Sequence, residues 1–189
     1  LWGPGPRTML AGVEKLEPGT AMLVAGGRIE RRWRFYELPF GGEKPATTVE
    51  AACAGVRTHI ERAVERQMVA DVPVGAFLSG GLDSSAVVAN ARRFTDDRLQ
   101  CFTIAFDDAG AMAEEGMAED LPYAEMVAAH LDVDLHRITV GPEMIDRLEE
   151  MVFFLDEPQA DPAPLNAWFI SMLARENGIK VLLSGAGGD

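Results

Sequence analysis

The heptapeptide Ser79-Gly80-Gly81-Leu82-Asp83-Ser84-Ser85 holds the residue types that an anion site needs. Gly80 and Gly81 carry no Cβ, so backbone N–H groups there can approach a phosphate closely. Ser79, Ser84 and Ser85 offer hydroxyl protons. At the start of a helix the loop also gains that helix's positive end. Asp83 runs against this chemistry, because a carboxylate repels phosphate. A divalent cation between the two removes the conflict, and Mg²⁺ is the natural one. No Gly-Lys-Ser/Thr follows, so this is not the Walker loop. A glycine turn with a Ser/Asp helix cap is the bland alternative. All seven residues together, between a strand and a helix, favour a pyrophosphate loop.

The surrounding pattern supplies that setting. Residues 74–78 form a short apolar run and predict a buried parallel strand. Residues 84–94 predict a helix, 99–106 a second strand, 121–131 a helix and 135–140 a third strand. Helices follow at 143–155 and 163–177, the latter ended by Gly178, and residues 179–183 read as a fourth strand. That strand runs into a second glycine-rich segment, Ser184-Gly185-Ala186-Gly187-Gly188-Asp189. Strands alternating with helices predict an α/β domain with a mainly parallel sheet. Ligands bind at the carboxyl edge of such sheets, where both glycine segments belong. Residues 108–120, acid-rich and holding Gly110 and Gly116, predict a mobile loop.

Upstream, residues 49, 52, 53, 56, 60, 63 and 64 are apolar at the spacing of one helix face. Thr47 and Glu50, three apart, suggest a capping box in front of it. The charges along this helix read as a solvated face. Residues 41–48 have the composition of a linker. Residues 1–40 read as β and turn, with Gly26-Gly27 joining two runs as a hairpin. Ile29 and Trp33 fall on one side of the second run, and Arg28, Arg32 and Arg34 on the other. Such a stub closes no core alone, so it reads as the tail of a domain, and the chain as a fragment of a longer protein.

Length and charge bound the rest. The 189 residues carry a formal charge of −13 and are 48% hydrophobic, which suits a globular core and argues against wholesale disorder. The acid excess argues against a nucleic-acid partner, a tRNA-modifying enzyme included. No apolar run reaches the ~18 residues of a membrane span. Cys53 and Cys101 are too few for a disulfide scaffold and fit no zinc spacing. They read as two buried thiols in a reducing cytoplasm. His59, His130 and His136 lie on separate segments and read as solvated or satisfied residues. Phe153 with Phe154, and Trp168 with Phe169, read as core.

The 79–85 heptapeptide resembles the loop of the N-type ATP pyrophosphatases. The 184–189 segment resembles the Ser-Gly-Glu-Gly-x-Asp-Glu motif of glutamine-hydrolysing asparagine synthetases. Phe102-Thr103-Ile104-Ala105-Phe106, Tyr123-Ala124 and Asp156-Glu157-Pro158 stand between them in that family's order. Residues 9–37 resemble the last hairpin of the family's N-terminal-nucleophile glutaminase domain, with Leu16-Glu17-Pro18-Gly19 for the usual Leu-Pro-Pro-Gly. The resemblance implies a glutaminase remnant over 1–40 and an adenine-nucleotide α-hydrolase-like (ATP pyrophosphatase) synthetase domain over 49–189. It implies adenylation of a carboxylate such as aspartate with release of pyrophosphate, then attack by ammonia derived from glutamine. Residues 79–85 would hold the departing phosphates, and Asp83 and Asp189 would share Mg²⁺. The main chains of Phe77 and Ile104 would hold adenine, and Ser184 and Gly185 would contact the nucleotide. Asp156-Glu157 would lie near this site in that family, while by residue type alone, before Pro158, it reads equally as a plain helix-ending loop. A homodimer stays open as its assembly.

Two departures qualify this. Ala186 stands where the family motif has Glu, which leaves the acceptor carboxylate open. The glutaminase nucleophile is not in the chain, and neither Cys53 nor Cys101 replaces it. A β-lactam-forming or other secondary-metabolite amide synthetase on the same scaffold is the rival reading. A non-catalytic nucleotide-binding module is a third, which retention of both Asp83 and Asp189 disfavours.

Overall fold

The computed structural model describes residues 5–38, 47–107, 120–155, 159, 161 and 163–187. The chain divides into two units, Leu1–Thr47 with Val152–Asp161, and Thr48–Met151 with Pro162–Asp189. The loop predicted mobile at 108–120 lies outside the described residues except for Asp120. Asp156-Glu157-Pro158, Gly188, Asp189 and most of the 41–48 linker lie outside them too.

The first unit holds an antiparallel hairpin of β1 (Thr20–Ala25) and β2 (Arg28–Arg34). Gly26 and Gly27 between them have φ of +56° and +74°, the left-handed values that a two-residue hairpin turn requires. A bulge falls between Leu23 and Val24. All of β2 is exposed, so its charges work locally: Arg32 and Arg34 pair with Glu17, and the Arg31 guanidinium lies over the Trp33 ring. Phe153 and Phe154, expected in a core, are 82% and 69% exposed. They belong to this unit, whose described residues enclose no apolar core.

The second unit is an α/β domain. Its elements are α1 (Val49–Gln67), β3 (Val74–Phe77), α2 (Leu82–Ala91), β4 (Gln100–Phe106), α3 (Leu121–Leu131), β5 (Asp134–Val140), α4 (Leu148–Phe153, whose last two residues fall in the first unit), α5 (Ala163–Glu176) and β6 (Val181–Leu183). The four strands are parallel, in the order β5-β4-β3-β6. Alternate residues feed two cores, because both faces of the sheet are covered. Ala76, Cys101 and Leu183 pack with Val64 of α1, Val88 and Ala91 of α2, and Ala124 and Ala128 of α3. Phe77, Phe102, Ile104 and Leu182 pack with Ile170, Leu173 and Ala174 of α5. Phe102 is fully buried, and burying such a side chain contributes about 1.5–3 kcal/mol.

Helix ends follow from local chemistry. α5 stops where Gly178 takes φ +79°. There the Gly178 N–H donates to Arg175 C=O and the Ile179 N–H to Ala174 C=O, which satisfies two carbonyls that the helix cannot. Residues 142–147, expected within one helix, form a 3-10 segment before α4. The cap of α1 is Thr48, not Thr47: the Thr48 hydroxyl accepts from Ala51 N–H at 3.2 Å. Thr48 is the residue with extended backbone directly before Val49, and only from that position does a hydroxyl reach the third helical amide.

Cys53 is exposed, contrary to expectation, while Cys101 is buried. Only the second half of α1, from Ile60 to Val64, reaches the core. Cys53 lies in the first half and lines an open groove of about 460 Å³ against α2. Among the described residues no helix is long and apolar enough to cross a membrane.

Candidate functional site

The strand order fixes where the two glycine segments go. The chain passes from β3 to β4 to β5 in one direction, then returns to place β6 on the far side of β3. The order therefore reverses between β3 and β6. Crevices form at the carboxyl ends of strands at such a reversal. Residues 78–81 leave β3 there, and residues 184–187 leave β6 there.

The first segment turns sharply into α2. Ser79 Oγ and Ser84 Oγ lie 3.0 Å apart, Gly81 N–H donates to Ser79 Oγ at 3.3 Å, and Ser84 Oγ donates to Gly81 C=O at 3.2 Å. The Ser79 N–H donates back to Ser84 Oγ at 3.3 Å. These bonds tie the loop to the first turn of the helix. Gly81 is the cap residue, and no side chain caps the helix. The first amides of α2, from Leu82 to Ser84, thus have the unsatisfied character that anions exploit, while the Ser85 N–H already donates to Gly81 C=O. Ser85 Oγ is buried and has no hydrogen-bond partner among the described residues. A buried hydroxyl in that state is costly unless something bonds it.

The second segment closes on the first. A Cβ on Gly185 would lie 2.7 Å from Ser84 N and 2.8 Å from the Asp83 carbonyl carbon. The 184–187 loop therefore runs against the first turn of α2, at a distance only glycine permits. Ser184 Oγ accepts from Ala186 N–H at 3.1 Å and fixes that turn. Ala186 itself is exposed. Phe77 ends β3, and Ile104 lies near the end of β4 on the adjacent strand. Both side chains are partly buried in the core under α5. Their main chains thus reach the edge of the same crevice.

The structure brings Ser79 to Ser85, Phe77, Ile104, Ser184 and Gly185 to one edge of one sheet. Asp83, half-buried in the first turn of α2, is the described carboxylate of this set; Asp189 lies outside the described residues. Among the described residues no group of three or more His, Cys, Asp or Glu could hold a metal by itself. One carboxylate beside a glycine loop that could take a phosphate would still suit Mg²⁺, which takes one or two carboxylates and completes its shell with water and substrate phosphate. His136 is a satisfied residue, bonded to Gln100 Oε1 at 2.5 Å and stacked on Phe102.

The sequence gives no sign of which loop glycine needs an open backbone. The structure separates them: Gly80 has φ +82° and lies against the first turn of α3, and Gly81 does neither. The place of Tyr123 and Ala124 beside the loop depends on a strand pairing and has no local sequence signal.

Comparison with known proteins gives the family. The family model described as asparagine synthase matches residues 55–189. The chain is 35% identical over 188 residues to a Mycobacterium bovis protein provisionally named a glutamine-hydrolyzing asparagine synthetase, covering 98% of this chain and 28% of that protein. It is 33% identical over 188 residues to glutamine-hydrolyzing asparagine synthetase 1 of Bacillus subtilis, with the same shares. Amidase chyE of Penicillium rubens is 28% identical over 204 residues, covering 100% of this chain and 30% of that protein. The chain thus spans less than a third of the length of these relatives.

Proposed function

The chain belongs to the asparagine synthase family, and from that we propose that it makes amides by ATP-dependent adenylation of a carboxylate. The observation that carries this is the contact of the two glycine segments, Gly185 against the Asp83–Ser84 peptide. It makes one cradle from two loops at the place where a sheet binds nucleotides.

A carboxylate is a poor acyl donor because its leaving group would be oxide. Attack by its oxygen on the α-phosphorus of ATP releases pyrophosphate and leaves an acyl-adenylate. Ammonia from glutamine then displaces AMP. In this scheme the amides of Gly80 to Ser84 and the hydroxyls of Ser79, Ser84 and Ser85 hold the departing β- and γ-phosphates. Such preorganised donors lower the barrier most where charge develops. The buried Ser85 hydroxyl gains a partner when a phosphate oxygen arrives. Asp83 together with Asp189 would hold Mg²⁺, which would supply neutralising charge at the phosphates. The main chains of Phe77 and Ile104 hold adenine, and Ser184 and Gly185 face the nucleotide. Residues 1–40, with their wholly exposed β2, read as the end of a glutaminase domain that supplies the ammonia. Two free thiols suit the cytoplasm.

A second reading concerns the acceptor. Ala186 offers a methyl where the family motif has Glu, so neither charge nor hydrogen-bond acceptor is present there. Amidases stand among the relatives. Both favour a larger or less polar carboxylic acid than free aspartate, or an amine in place of ammonia. Exchange of labelled pyrophosphate into ATP, measured with a panel of carboxylic acids, tests both readings. Exchange with some acid but little with aspartate is expected. Exchange with none overturns the adenylation reading, and brisk asparagine formation from aspartate, ATP and added ammonia overturns the altered acceptor.

A further inference from the structure

Gly80 and Gly81 are neighbours in one loop and differ in what surrounds them. A Cβ on Gly80 would fall 2.5 Å from Tyr123 Cβ, 2.5 Å from Ala124 N and 2.6 Å from the Tyr123 carbonyl carbon. A Cβ on Gly81 would meet only Ser79 Oγ, at 3.3 Å. The first turn of α3 is a firm wall: Ala124 is fully buried, and the Tyr123 and Ala124 N–H groups both donate to Asp120 C=O, at 3.1 and 3.0 Å. Tyr123 as a whole is 57% exposed. Its root, not its ring, is what meets the loop.

We infer that Tyr123 is a positioning residue for the phosphate loop: its Cβ and peptide hold Gly80 in the left-handed conformation, and through it the amides that follow. This rests on the phosphate-loop reading above for its functional consequence, though not for its mechanics. A free glycine populates both signs of φ about equally. Without the wall, Gly80 samples other conformations, and a bound phosphate must bear the cost of ordering it. With the wall, the cradle is set before the ligand arrives. The loop is then held on two sides, by Tyr123 at Gly80 and by Gly185 at Ser84.

The test compares wild type with Tyr123→Phe, Tyr123→Ala and Tyr123→Gly. Two quantities are read: hydrogen exchange of the Gly80 and Gly81 amides without ligand, and the dissociation constant of ATP with Mg²⁺. Tyr123→Phe and Tyr123→Ala keep the Cβ and are expected to behave as wild type in both. Tyr123→Gly is expected to speed loop exchange and weaken ATP on the order of tenfold. Equal effects of Tyr123→Ala and Tyr123→Gly overturn the inference, because the ring would then be the acting part. No effect of Tyr123→Gly overturns it as well. Absence of ATP binding in wild type overturns the ligand reading alone, since loop exchange still decides the positioning role. Should Tyr123→Gly not fold, Gly80→Ala, which drives a methyl into the same wall, is expected to speed exchange of the loop; unchanged exchange overturns the inference.

Discussion

Gly185 stands against the amide of Ser84: a methyl on its Cα would lie 2.7 Å from that nitrogen. The loop after β6 and the helix after β3 share a surface there on which no side chain fits. Gly185→Ala must separate them by several tenths of an ångström. Backbone shifts of this kind cost about 1–3 kcal/mol. Calorimetric titration is expected to show ATP binding weakened on the order of tenfold or more, with the α/β fold retained by circular dichroism. Unchanged affinity would mean that the two loops do not act as one cradle.

Asp83 has a role only if a cation accompanies the phosphates. Asp83→Asn keeps the shape and removes the charge. ATP affinity of the variant at saturating Mg²⁺ is expected to fall about ten- to a hundredfold, while affinity in EDTA stays equal or rises, since one repulsion is gone. A fall of equal size in both conditions would assign Asp83 to the loop's structure.

The two thiols should separate by reagent. Burial, with the Asp134 carboxylate adding to it, pushes the Cys101 thiol up to about 12. Cys53 is exposed. At pH 8 a maleimide is expected to modify one thiol per folded chain, at Cys53, and two after denaturation. Cys101 also links stability to alkali. Its folded value lies above its unfolded one, so its contribution is complete below the unfolded value near 9 and is lost as pH rises from there toward 12. Cys101→Ala is expected to flatten that part of the stability profile.

Thr48→Ala removes the cap of α1 and is expected to cost about 1 kcal/mol, read by urea denaturation. The Glu50 carboxyl is held below its ordinary value by its own backbone N–H and by the Thr48 hydroxyl. A lowered folded value means stability present above the unfolded value of about 4.5 and lost as pH falls through the folded one. The variant should therefore lose part of that acid dependence, and an unaltered acid limb would remove Thr48 as the cause.

Much of the second unit was legible because its signals are local. α3 spans Leu121–Leu131, as its apolar spacing predicts, and the strands at Gln100–Phe106 and Asp134–Val140 carry branched and aromatic residues. The sharp turn at 79–85 was legible because its seven residues lie in a row between a strand and a helix. What depends on tertiary pairing was not. Cys53 sits on an apolar face that predicts burial, but α2 leaves an open groove along that half of α1. Phe153 and Phe154 read as core by type alone, and no described element covers them. The cap slipped by one residue because Thr47 and Thr48 offer the same hydroxyl, and only backbone geometry chooses between them. The contact of Tyr123 with Gly80 depends on how α3 docks on the sheet, which no spacing encodes.

The pairing of β3 with β6 has a consequence in time. Val74 lies opposite Val181, a closure of about a hundred residues, and contacts of such separation form late and slowly. A ribosome releasing this chain exposes the 79–85 loop long before Gly185 exists to brace it. Through that interval β3 is an open sheet edge, and the first turn of α2 lacks the loop that Gly185 later lays against it. A ligand that needs both loops cannot then guide the early steps of folding by mass action; it can stabilise only a chain whose sixth strand has already arrived.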